Sequence, residues 1–244
     1  MKKRLFLALI MITLLAGAVS ARGFSMSAGV GGKFSADFSH YLWGFSEDTD
    51  NYLENWGWEK DSFNQRKVGG GFFGFFDATY FLAELGGQFY NIEPLNKDAQ
   101  KSLKNSKTKL SRSVFDIGLF LKIPIWIGQY GSIFPMFGGD IQIAVENATT
   151  VDGKREAYKK YGNGDKVSEY NTQVFFKFGI GGDIPIGKMI YIRPMILYGL
   201  GTNTKAQKED RDFHNEDDMN LWLIIDHGLD IKLAVGFRFF SSAK

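Results

Sequence analysis

From residue 22 onward the chain is dominated by period-two alternation, apolar against small or charged, over stretches longer than an ordinary strand. The clearest stretch lies near the C-terminus. Leu229, Ile231, Leu233, Val235, Phe237 and Phe239 share one face, and Gly228, Asp230, Lys232, Ala234, Gly236 and Arg238 share the other. A helix would scatter both sets around its circumference, so this segment reads as a strand.

The same pattern recurs upstream. Phe24, Met26, Ala28, Val30, Phe34, Ala36 and Phe38 alternate with Ser25, Ser27, Gly29, Gly31, Lys33, Ser35 and Asp37. Phe115, Ile117, Leu119, Leu121 and Ile123 oppose Asp116, Gly118 and Lys122. Phe137, Ile141, Ile143 and Val145 oppose Asp140 and Gln142. Val174, Phe176, Phe178 and Ile180 alternate with Gln173, Lys177 and Gly179, and Ile190, Ile192, Ile196 and Tyr198 with Tyr191 and Arg193. Segment 81–91 alternates more weakly, with Glu84 and Gln88 on its polar side. Segment 68–76 is so rich in Gly and Phe that its facing is not readable.

Eight strands follow, and their connections alternate in length. Those near residues 77–79, 128–131 and 187–188 are short; those over 46–67, 93–111, 146–170 and 203–220 are long and polar. Short turns at one end and long loops at the other is how an outer-membrane barrel is organised, turns in the periplasm and loops outside. The expected fold is therefore all-β, an antiparallel up-and-down transmembrane barrel of about eight strands.

The N-terminus differs in kind. Lys2, Lys3 and Arg4 precede an apolar run from Leu5 to Val19, and Val19-Ser20-Ala21 supplies the small residues a signal peptidase requires. The run is shorter than the roughly 18 residues of a spanning helix. Residues 1–21 are expected to be a cleavable signal peptide and 22–244 a single barrel domain. Removing the signal changes the charge balance from 29 basic against 27 acidic residues to 26 against 27, which leaves no general case for nucleic acid. The chain has no cysteine, hence no disulfide and no lipoprotein anchor.

Which face meets solvent decides between a membrane barrel and a soluble one. The polar face carries Lys33, Lys122, Lys177, Arg193, Lys232 and Arg238 against Asp37, Glu84, Asp116, Asp140, Asp183 and Asp230, interleaved with glycines. Six bases and six acids suit a narrow interior where charges must pair because water is scarce. A solvated outer face has no need of so many glycines. Aromatic residues sit at the ends of the apolar face: Tyr41 and Trp43 at one end, Tyr80, Trp126, Tyr191 and Phe239 near the short turns, as at membrane interfaces.

On these residues the chain resembles the small outer-membrane barrels of OmpA, OmpX and Opa type, over the whole mature chain and at the level of architecture. The resemblance is most specific in the last strand, which ends in an aromatic, Phe239 or Phe240, but continues through Ser241-Ser242-Ala243-Lys244 where the family signal usually stops. It implies that residues 229–240 engage the barrel assembly machinery and that the location is the bacterial outer membrane, in contact with its lipid.

Candidate chemistry is sparse. Gly69-Gly70-Gly71-Phe72-Phe73-Gly74 matches a dinucleotide fingerprint but lacks the strand–helix context that motif requires. His40 lies beside Ser39 and Asp37, yet alternation puts it on the opposite face from both. Segment 209–218 gathers carboxylates around His214 in no recognisable ligand spacing. No catalytic, cofactor or metal site is expected. The second loop is basic, with Lys101, Lys104 and Lys107 among its cations, suited to anionic surface polymers. The first holds Tyr52, Trp56 and Trp58, rings suited to partner contact. The expected function is non-enzymatic: structural, or adhesive toward host or matrix molecules through these loops. The alternative is a small pore or carrier.

Overall fold

A computed structural model describes residues 24–42, 64–160, 171–203 and 223–241, together with residues 166 and 168. The expected signal peptide, the first-loop residues Tyr52, Trp56 and Trp58, and the carboxylate cluster around His214 lie outside the described residues.

The described elements are β1 (Ser25–Leu42), β2 (Gln65–Ala78), β3 (Phe81–Pro94), a helix α1 (Lys97–Asn105), β4 (Thr108–Lys122), β5 (Ile125–Trp126), β6 (Ser132–Val151), β7 (Lys154–Tyr158), β8 (Gln173–Pro185), β9 (Ile190–Asn203) and β10 (Leu223–Ser241). Eight of these strands pair in sequence as β4-β3-β2-β1-β10-β9-β8-β6, and β4 pairs with β6 to close the ring. Every pairing is antiparallel. The expected fold class is therefore the observed one. Closure leaves the ring without a free edge, and its backbone amides bond inside the sheet, as lipid demands.

The outside is apolar. Val30, Phe72, Phe89, Leu119, Phe176, Ile196 and Leu233 are all exposed on the outer face, Val30 by 70% and Leu233 by 60%. Their partners in the alternation turn inward: Lys33, Asp37, Glu84, Asp116, Asp140, Lys177, Asp183, Arg193, Asp230 and Lys232 are each under a tenth exposed. An apolar belt in water would expose hundreds of square ångströms of rings and branched chains. Lipid removes that cost.

β6, with 20 residues, is about twice what a tilted strand needs to cross the hydrocarbon. Its outer end stands clear of the belt and changes the reading of two expected loops. Between Val114 and Ser113 the partners on β6 jump from Ala144 to Glu146, so Val145 is bulged. Beyond it the strand runs on to Val151 and folds back through Asp152-Gly153, both at positive φ (47° and 81°), into β7. An Asp-Gly pair in that conformation makes a two-residue hairpin turn, so segment 146–158 is sheet, not loop. The second loop is likewise not irregular: α1 is started by Asn96, whose side chain accepts from the amides of Asp98 and Ala99 at 2.9 and 3.0 Å. Asp98 in the first turn and Lys104 in the last complement the helix dipole.

The short-turn end is held by side chains. Thr79 sits at φ 55° in the β2–β3 turn, and its hydroxyl takes the Ser25 amide at 2.7 Å and donates to the Ser25 carbonyl at 2.9 Å. At the far end of β10 the register slips between Met26 and Ser27, whose partners are Phe240 and Arg238. The bulge leaves both Phe239 and Phe240 exposed, 49% and 48%, and lets the strand continue to Ser241. Ser241, the first residue after the terminal aromatic, thus continues the strand without burying either ring.

Candidate functional site

The lumen is layered, and the order can be followed along β10 from the short-turn end. The first layer centres on Arg193. Its guanidinium donates to Asp183 through Nε at 2.6 Å and Nη2 at 3.0 Å, and Nη2 lies 2.5 Å from Asp77. Lys122 meets the same Asp77 carboxylate at 2.6 Å. Three rings surround the cation: Phe75 at 4.7 Å, Tyr191 at 5.0 Å and Phe134 at 5.3 Å. Tyr191 shares a 2.7 Å hydrogen bond with Ser27 over the intervening strand β10. The free space at this mouth is only about 10 Å³, barely the room of one water.

Above it lies an apolar layer. Phe73, Leu82, Phe120, Phe134, Met136, Met195 and Leu197 are buried against one another inside the barrel. The lumen is therefore not only charges and glycines, as its sequence suggests: part of it is packed like a soluble core.

The next layer is ionic again. Lys232 reaches Glu84 at 2.5 Å, and Lys33 reaches Asp116 at 2.6 Å. Lys177 donates to Asp140 and, at 2.7 Å, to Asp230, which also accepts from Ser35 at 2.5 Å. Lys232 sits 5.4 and 5.3 Å from the Phe73 and Phe120 rings below, so its cation is stabilised on that side too.

The outermost layer is built largely from residues the alternation did not single out. Lys67 donates to Gln173 at 2.8 Å and lies 3.5 Å from Asp226; Gln173 donates to Asp226 at 2.5 Å, and Ser39 donates to it as well. Asp37 is buried here, close-packed on Gly228, where a Cβ would lie 1.9 Å from its Oδ1. Arg112 closes the layer, donating to Asn147 at 2.8 Å and Asn171 at 2.6 Å.

The structure thus gathers eleven of the twelve predicted lumen charges inside and adds Lys67, Asp77 and Asp226. Arg238 departs from the prediction: it is half-buried at the short-turn mouth, 5.7 Å from the Tyr191 ring. The even balance is also corrected, because among the described residues the buried set holds six bases and eight acids. Lys67 and Asp77 sit where the chain was read as loop and turn, and Asp226 lies just before the last strand as read from Gly228; continued alternation past those bounds is the signal that finds them. Of the aromatic residues assigned to the apolar face, Trp126 and Phe239 are exposed, whereas Tyr80 and Tyr191 turn inward.

The other candidates resolve by facing. Ser39 and Asp37 point into the lumen, while His40 lies half-buried on the outer face, stacked on His227 with ring centroids 5.2 Å apart and planes 6° from parallel. The barrel wall separates the histidine from the hydroxyl and the carboxylate. Gly69–Gly74 falls within β2, which leads into β3 rather than a helix. Among the described residues no cluster of His, Cys, Asp or Glu could hold a metal ion.

At the outer end, Lys101, Lys104 and Lys107 are exposed on and just after α1. Lys107 meets Asp152 of the neighbouring hairpin at 3.2 Å, and Arg66–Glu93 and Arg155–Glu146 form ion pairs on the outer surface. Second and third loops are thereby joined into one raised, charged platform.

No family model matches the sequence, and no curated protein matches it. Among solved structures the chain is similar to Neisserial surface protein A (NspA), at 6% identity over 87% of this chain and 99% of that one, with a TM-score of 0.41. It is similar to Ail, the attachment invasion locus protein of Yersinia pestis, at 10% identity over 88% and 99%, with a TM-score of 0.34. OprG from Pseudomonas aeruginosa is similar at 8% identity over 89% and 97%, with a TM-score of 0.38. The resemblance to small outer-membrane barrels is one of architecture.

Proposed function

We propose that the mature chain, released by cleavage after Ala21, is a non-enzymatic protein of the bacterial outer membrane whose barrel is a sealed scaffold and whose external segments make adhesive contact with host or matrix surface molecules. One observation carries this reading. The interior cations are engaged by interior carboxylates or amides, whereas Lys97, Lys101, Lys104, Lys109 and Lys154 are exposed at the outer end on one joined platform. Clustered exposed cations attract polyanionic surfaces by a field that salt screens. The first-loop rings Tyr52, Trp56 and Trp58 belong to the same proposed contact surface. Residues 229–240 serve as the segment that the assembly machinery engages, and the apolar belt is solvated by outer-membrane lipid.

The test is adhesion of intact cells displaying the protein to a dextran sulfate-coated surface. Replacing Lys101, Lys104 and Lys107 together by Gln lowers adhesion severalfold, and raised salt lowers that of the parent. Unchanged adhesion in the triple variant refutes the reading. Planar-bilayer recordings address the pore alternative: a sealed lumen gives no reproducible conductance steps, and such steps would replace the scaffold by a channel.

A further inference from the structure

The α1 hairpin borders a half-open groove lined by its own residues. α1 lies against the outer ends of β3 and β4, and Gln100 fastens it there by donating to the Pro94 carbonyl at 2.8 Å. Between helix and strands is a cavity of about 450 Å³, within the range of small-ligand sites. Ile92, Pro94, Leu103 and Leu110 give it apolar walls, and Lys104 and Lys109 stand at its edge. Leu103 is the large apolar residue of α1, and it faces the same groove as Ile92 and Leu110, which are paired across β3 and β4. An apolar ligand there adds dispersion contacts to all three.

The lining also selects the kind of occupant. Among the described residues its one carboxylate, Glu93, is paired with Arg66, and Lys104 and Lys109 are the cations of the lining. Among the described residues no aromatic ring lines it, and its apolar surface is aliphatic. We infer that this cavity binds a small amphiphilic anion: an aliphatic chain against Ile92, Leu103 and Leu110, and a carboxylate or phosphate head between Lys104 and Lys109. A free fatty acid and an outer-leaflet lipid both present that chemistry. The inference shares Lys104 and Lys109 with the adhesive platform, but its readout, methyl shifts within one hairpin, is separate from cell adhesion.

The experiment uses the full mature barrel refolded in phosphatidylcholine nanodiscs, with methyl groups of Ile and Leu observed by NMR during titration with octanoate and with octyl phosphate. The expected result is saturable shifts at Ile92, Leu103 and Leu110, with octanol binding about tenfold more weakly because it lacks the charge. Lys104→Gln with Lys109→Gln weakens octanoate by about tenfold, and Leu103→Trp, which fills the space, removes the saturable shifts while barrel methyls keep theirs. Discs containing anionic lipid separate the sources. Methyls already displaced before titration, with octanoate competing poorly, identify a membrane lipid; an unchanged titration identifies a free amphiphile. Octanol matching octanoate, a double Lys variant of unaltered affinity, or no saturable shift with either anion overturns the inference.

Discussion

Arg193 grips Asp183 with two donors at once, Nε at 2.6 Å and Nη2 at 3.0 Å, inside a barrel where the arginine is only 1% exposed. The same guanidinium lies 2.5 Å from Asp77, so one planar cation answers two buried carboxylates. Arg193→Met removes the cation and leaves those carboxylates to Lys122 alone. The expected loss is about 3–5 kcal/mol, the usual consequence of stranding a buried charge. Arg193→Lys keeps the charge but not the fork, and should fall between the two. Urea unfolding of the refolded barrel in lipid vesicles measures both. Equal stability of Arg193→Met and parent would show that the cluster contributes nothing.

Facing makes a second, sharper contrast, because neighbours on one strand meet different media. Leu233 is 60% exposed on the lipid side and Ala234 is 2% exposed on the lumen side. Leu233→Arg near mid-barrel should cost about 2–4 kcal/mol, as lipid-facing cations do, whereas Leu233→Ile should change little. On β2 the large-to-small change Phe73→Ala, in the apolar layer of the lumen, should cost about 3–5 kcal/mol through the cavity it opens. Phe72→Ala, 64% exposed, opens no cavity. If Phe72→Ala proved the more damaging of the two, the facing of β2 would be reversed.

That strand shows where the sequence is mute. Alternation identifies a strand only when the two faces differ in polarity, and on β2 they do not: Phe73 and Phe75 fill the lumen while Phe72 and Phe76 meet lipid. Hydrophobicity alone cannot separate an apolar plug from a lipid belt. Elsewhere the contrast between Leu or Ile and Asp or Lys is large, and the facing of β1, β4, β8 and β10 was legible residue by residue. The bulge at Val145 resets the parity of β6, so reading the pattern forward from Phe137 could not carry it to Asn147. Asp152-Gly153 was a readable turn signal, but it lies in a polar stretch where strands without an apolar face leave no period. Individual charges were legible; their partners, set by pairings far apart in the chain such as Lys232 with Glu84, were not.

The helix above the barrel should respond independently of it. Asn96 satisfies two amides of the first turn of α1, at 2.9 and 3.0 Å. Asn96→Ala therefore weakens the helix by about 1 kcal/mol. Hydrogen exchange should accelerate severalfold at Gln100 and its neighbours, with the strand amides unaffected. Exchange speeding equally across β3 and β4 would mean that the hairpin and barrel open as one unit.

Gly236 and Tyr191 make the most specific prediction, since each constrains the other. A Cβ at Gly236 would sit 2.2 Å from Cζ and 2.4 Å from Oη of Tyr191, a ring that is 2% exposed, hydrogen-bonded to Ser27 at 2.7 Å and packed 5.0 Å from Arg193. The ring has nowhere to withdraw without disturbing Arg193, so Gly236→Ala should cost about 1–3 kcal/mol by overpacking. Tyr191→Ala should cost about 3–5 kcal/mol, by analogy with other aromatic truncations. In the double variant the new methyl enters the space the ring has left, and the overpacking vanishes. The pair should therefore be non-additive by about 0.5–3 kcal/mol in the favourable direction. Urea unfolding of the parent, both single variants and the double gives the coupling directly. Additivity would place Tyr191 away from Gly236, and with it the short-turn end of the lumen would lose the packing that seals it.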